Sequence, residues 1–102
     1  MTIDLFQEKV AAGEPLAGDE MIEFMREQSD LSRRLLFELN GSYHTPDEIR
    51  DLFSRITGRE VDSSFRMFPP FYTDFGKNIH VGRNVFINAC CQFQDQGGIY
   101  IG

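Results

Sequence analysis

Two histidines, His44 and His80, and two adjacent cysteines, Cys90 and Cys91, are the side chains here whose chemistry lies nearest neutral pH. An imidazole can take the proton of a hydroxyl as that hydroxyl attacks, so either histidine is a candidate general base. Their settings favour structural roles. His44 directly precedes the Thr-Pro pair of a helix start and reads as a loop residue. His80 lies between Ile79 and Val81, so it points outward if they point inward. A zinc centre of three converging histidines needs more than the two present. Neighbouring cysteines in a strand face opposite sides, so a disulfide between Cys90 and Cys91 would be strained. Both are expected as reduced, mostly packed thiols in a cytoplasmic protein, and no metal is expected.

The chain has 102 residues, enough for one small domain with a modest core. An apolar fraction of 41% with ten Phe argues against disorder. The net charge of −6 disfavours nucleic acid and anionic membrane as partners. The opening "MTIDLFQEKV" carries an early acid and does not read as a secretory signal. No stretch approaches the roughly 20 apolar residues of a membrane helix.

Residues 1–58 read as a helical segment. Thr2 or Asp4 caps a first helix carrying Ile3, Phe6 and Val10, and Gly13, Pro15 and Gly18 break it. A second helix starts near Asp19 as N-cap, with Glu20 in its first turn. Its stripe is Ile22, Met25, Leu31, Leu35 and Leu39, interrupted near Ser29. Asn40-Gly41 ends it, since both tolerate a left-handed conformation. In "HTPDEIRDLFSRITG", Thr45 caps, Pro46 takes the first helical position and Glu48 closes a capping box. Ile49, Leu52, Phe53 and Ile56 form one face, and Gly58 stops the helix.

Residues 59–102 belong to a second regime, though not to an independent domain. "VDSSFRMFPPFYTDFG" reads as an extended lead-in in which Pro69-Pro70 opposes central-strand pairing. From Ile79 the chain divides into six-residue units. Val81, Ile87, Phe93 and Ile99 form one apolar set, and Ile79, Val85, Cys91 and Gly97 a second. Gly82, Asn84 and Asn88 between them suit turns. Short strands and sharp corners in this rhythm build a parallel β-helix, with Val81, Ile87 and Phe93 inward. Ile101-Gly102 repeats Val81-Gly82 after 20 residues, with the extra pair absorbed at Gly97-Gly98. On spacing alone, a β-meander with loops fits as well.

The stretch "FPPFYTDFGKNIHVGRNVFINACCQFQDQGGIYIG" resembles the first β-helix coil of the maltose/galactoside O-acetyltransferases, the sugar branch of the hexapeptide-repeat acyltransferases. "AGEPL" and "RRLLFELN" resemble the helical region that precedes that coil. The resemblance implies an α+β fold: a helical N-terminal segment followed by the first coil of a left-handed parallel β-helix. It implies a homotrimer with active sites in clefts between subunits. The implied reaction moves acetyl from acetyl-CoA, a co-substrate, to a sugar hydroxyl, with a histidine as general base. That histidine and the coils that hold the CoA arm belong to sequence beyond Gly102 in the family, so no catalytic residue is assigned here.

By the same resemblance, Asn88 orients the sugar hydroxyl through an amide that both donates and accepts. Asp95 and Asp74 face the acceptor as carboxylates. Phe86 falls where an aromatic packs on it, and Asp19 matches an acid that reaches the sugar. Each also has an architectural reading: corner residue for Asn88, turn acid for Asp95 and Asp74, core or interface ring for Phe86, helix cap for Asp19. Two other functions stay open, a non-catalytic oligomerisation or interaction module and a hexapeptide acyltransferase acting on amino sugars or antibiotics. A zinc enzyme of the γ-type carbonic anhydrase kind lacks its third histidine.

Overall fold

Three helices precede six short strands in a computed structural model that describes all 102 residues. Helix α1 spans Ile3–Ala11, and the Thr2 hydroxyl accepts from the Leu5 amide at 3.1 Å to cap it. Helix α2, Asp19–Gly41, runs unbroken through Ser29. Its N-cap is Gly18 at φ 95, so Asp19 is the first helical residue and not the cap expected from sequence. Asp19 and Glu20 still complement the positive helix end.

The buried face of α2 is Met21, Phe24, Ser32, Leu36 and Leu39, whereas Ile22 and Leu31 are exposed. Of the stripe read from sequence, Leu39 is buried and Met25 and Leu35 are partly buried against the two clusters, while Ile22 and Leu31 face outward. A polar side chain fills the core position: Ser32 is fully buried, with its hydroxyl donating to the Phe75 carbonyl. Neither Asn40 nor Gly41 is left-handed, and extended Ser42 ends the helix. Helix α3, Pro46–Thr57, has its complete capping box, with Glu48 accepting from the Thr45 amide at 2.8 Å and Gly58 left-handed at φ 74.

The strands are β1 (Arg66–Met67), β2 (Phe71–Thr73), β3 (Ile79–Val81), β4 (Phe86–Ile87), β5 (Cys91–Phe93) and β6 (Ile99–Ile101). They form three parallel pairs, β1 with β4, β2 with β5 and β3 with β6. Every register joins a residue to the one 20 positions on, as in Met67 with Ile87, Tyr72 with Gln92 and Val81 with Ile101. The chain thus passes the same three sheets twice in the same order. The first pass starts at Arg66, earlier than the hexad pattern suggested. The segment read as an unpaired lead-in holds β1 and β2, and the cis Pro69–Pro70 bond lies between them. Strand pairing survives because the prolines stand at a corner.

Met67, Phe71, Ile79, Val85 and Ile87 are buried, and Val81, Cys91, Phe93 and Ile101 pack against them. Corners carry positive φ at Gly76 (85°), Asn84 (56°), Cys90 (65°) and Gly98 (96°). Cys90 is exposed at its corner, unlike the packed thiol expected from sequence, and both thiols are free. At Gly76 a Cβ would meet the Ile56 carbonyl oxygen at 2.7 Å and the Ser32 hydroxyl at 2.9 Å, so only glycine fits.

Helices and strands share one core. Phe53 of α3 stacks on Phe65 at 4.5 Å and meets Phe71 of β2 edge-on at 5.5 Å, within a cluster of 12 buried residues. Burying each such ring contributes about 1.5–3 kcal/mol. Phe6, Met21, Phe24 and Phe75 form a second cluster that fixes α1.

Candidate functional site

The outward side of β1 and β4 carries four side chains in a square. Met67 and Ile87 point inward, so alternation turns Arg66, Phe68, Phe86 and Asn88 outward, and all four are exposed. Arg66 stands in register with Phe86, and the Phe68 amide donates to the Ile87 carbonyl, which sets Phe68 beside Asn88. The two phenyl rings meet edge-to-face at 5.1 Å and 84°, although each is about half exposed. Asn88 sits on the corner before β5, and its side-chain oxygen accepts from the Ala89 amide at 2.8 Å. The Asn88 side-chain NH₂ has no partner within the chain.

Asp74 lies at the other end of the β2/β5 face. It is exposed, and its carboxylate accepts from the side-chain amide of Gln96. Gln96 was not singled out from sequence; the 20-residue register sets Gln94 beside Asp74, and Gln96 reaches it from two residues further on.

Asp95 does not face an acceptor. It is fully buried, and its oxygens accept from the Thr73 hydroxyl (2.8 Å) and from the amides of Phe75 (3.0 Å), Gly76 (2.9 Å) and Asn78 (3.1 Å). It is neither a solvated turn acid nor a ligand contact in this structure. It staples the Thr73–Asn78 turn of the first pass to the second. Asp19 is exposed at the start of α2 and bonds to none of these residues.

Both histidines are engaged. His44 Nε2 lies 2.8 Å from the Glu38 carbonyl oxygen, so that nitrogen carries the hydrogen. His80 Nε2 lies 2.8 Å from Asn78 Oδ1, and its ring stacks on Tyr100 at 4.3 Å. Burial holds the His80 pKa below its ordinary value; the Arg59 guanidinium adds to this, and Asp95 opposes it. Burial likewise lowers Lys77, whose ammonium donates to the Ile56 carbonyl at 2.6 Å and so caps the C-terminus of α3. No group of three or more His, Cys, Asp or Glu converges as a metal site would require.

The geometry thus joins Phe86 and Asn88 on one ledge and places Asp74 a full face away. Phe68 neighbours Asn88, and Asp74 follows Phe68 by six residues, beyond the Pro69–Pro70 corner and β2. Within a single chain the two sets are separate.

No family model matches the sequence. It is 28% identical to galactoside O-acetyltransferase of Escherichia coli (strain K12) over 95 residues, 93% of this chain and 46% of that protein. It is 52% identical over 72 residues to a Staphylococcus aureus (strain MRSA252) protein named "Putative acetyltransferase", covering 67% of this chain and 34% of that protein. The fold is similar to the crystal structure of a hexapeptide-repeat acetyltransferase from Vibrio cholerae O1 biovar eltor complexed with acetyl coenzyme A. That match has a TM-score of 0.65 and 29% identity, and it covers all of this chain and 52% of the other. The chain spans about half the length of these relatives, or less.

Proposed function

We propose that this chain, as a hexapeptide-repeat acetyltransferase with galactoside O-acetyltransferase among its relatives, forms the acceptor side of an acetyl-CoA-dependent sugar O-acetyltransferase. The two passes are then the first turns of a left-handed parallel β-helix behind a helical segment of residues 1–58. The observation that carries the reading is the exposed ledge of Phe86 and Asn88 on the outer side of paired parallel strands.

In the reaction, a base takes the proton of a sugar hydroxyl while its oxygen attacks the thioester carbonyl, and CoA leaves as the thiol. Asn88 orients the hydroxyl through its unpartnered NH₂, and Phe86 packs on the sugar's apolar face. Asp74, with Gln96, offers acceptor and donor groups to further hydroxyls. Asp19 keeps a place in the proposal as an exposed acid able to reach sugar from the helical segment. Asp95 holds the turn beneath Asp74 and takes no part in contact. Since Asn88 and Asp74 lie a face apart, a cleft between subunits of a homotrimer brings one chain's Asn88 toward another's Asp74. Neither His44 nor His80 bonds to Asn88, so this reading takes its base from the part of the fold that the relatives have in their second half.

A titration followed by amide NMR tests the acceptor ledge. A galactoside or maltose should shift the resonances of Phe86 and Asn88 saturably, and Asn88→Ala should remove the effect. Shifts confined to residues away from both faces would overturn the assignment.

A further inference from the structure

A cavity of about 500 Å³ lies between the α2–α3 connection and the β1–β2 corner, within the size range of small-molecule sites. Its walls include Tyr43, Met67, Phe68 and the Pro69–Pro70 pair, and the polar side chains reaching it include His44 and Arg66. The chain carries 16 acids against 10 bases, yet no acid lines this cavity. The Arg66 guanidinium is exposed and makes neither an ion pair nor a hydrogen bond within the chain. Tyr43 and Phe68 expose 86% and 59% of their surface at its edge.

We propose that this cavity binds a small planar aromatic carboxylate, its ring against Phe68 and the prolines and its carboxylate on Arg66. One unpaired guanidinium matches one negative charge, and its fork suits a carboxylate in two-point contact. Arg66 and Phe68 are two residues apart on the outward side of one strand. Their Cα atoms are thus about 6–7 Å apart, so one small ligand can meet both side chains. Phe86 holds the Phe68 ring edge-on, so it is ordered before a ligand arrives. The mostly apolar walls offer a polyol few partners, so the cavity differs in chemistry from the ledge of Phe86 and Asn88 that adjoins it. The assignment does not rest on the acetyl-transfer reading.

Isothermal titration and saturation-transfer NMR with 2-naphthoate, 2-naphthylmethanol and 2-naphthylmethylamine test it on the full chain. The acid should bind saturably with a Kd below about 1 mM, and about tenfold more tightly than the alcohol, as a charge-assisted contact gives. The amine should not bind. Arg66→Gln should erase the acid's advantage over the alcohol while leaving the circular dichroism spectrum unchanged. Phe68→Ala should weaken acid and alcohol alike. Equal binding of acid and alcohol, no saturable binding of the acid into the millimolar range, or full affinity for the acid in Arg66→Gln would each overturn the proposal.

Discussion

The buried carboxylate of Asp95 takes a hydrogen bond from the Thr73 hydroxyl at 2.8 Å, tying the second pass of strands to the first. Three backbone amides of the same turn complete its shell. Asp95→Ala strands those donors in the core, so the loss should be large. An unfolding free energy lower by about 3 kcal/mol or more is expected in urea titrations. Asp74→Ala, at an exposed acid, should stay within about 0.5 kcal/mol of the parent. Equal stability of the two variants would contradict the division of roles drawn between these acids.

Asn40 does for the helices what Asp95 does for the strands. Its side-chain amide donates to the Phe71 carbonyl at 2.8 Å, and its oxygen accepts from the Phe71 amide at 3.0 Å. Losing both bonds in Asn40→Ala should cost about 1–3 kcal/mol. Hydrogen exchange at the Phe71 amide should accelerate more than at Leu52 in α3. Unchanged exchange at Phe71 would show that β2 holds its place without α2.

Much of this was legible in the sequence where one local rule decided the outcome. Thr45, Pro46 and Glu48 form a capping box through neighbours alone, and α3 begins where they place it. Val81 and Ile101 repeat a pattern, and they pair in register. The rest turned on contacts far along the chain. Ser32 occupies a core position because the Phe75 carbonyl, 43 residues away, accepts its hydroxyl, which an apolar pattern cannot show. Strands of two residues, such as Arg66–Met67, are too short to show alternation, so β1 was hidden behind Pro69-Pro70. Among the candidate site residues, Asn88, Phe86, Asp74 and Asp19 are exposed. Asp95 carries the same charge as Asp74, and only the fold shows that it is buried.

His80 makes stability depend on pH in a defined direction. Burial and Arg59 hold its pKa below 6.5, so the folded chain favours neutral imidazole. Between the folded value and about 6.5 the unfolded chain binds more protons, and stability rises with pH across that window. The contribution is lost as pH falls from about 6.5 toward the folded value. Thermal melts of His80→Gln between pH 5 and pH 8 should show a shallower acid-side decline than the parent. Parallel pH profiles would remove His80 as the source.

Coenzyme A release by a chimera tests the central claim most directly. In it, residues 1–102 of this chain are followed by the second half of the E. coli galactoside O-acetyltransferase. With acetyl-CoA and a galactoside, the account predicts thiol release above background hydrolysis. Asn88→Ala should lower kcat/KM about tenfold, as loss of one oriented hydrogen bond does, at an unchanged melting temperature. The 102-residue chain alone should release none. A folded chimera that binds acetyl-CoA without transferring acetyl, or full activity in Asn88→Ala, would contradict the acceptor assignment. Robust release by the chain alone would instead make His44 or His80 the base.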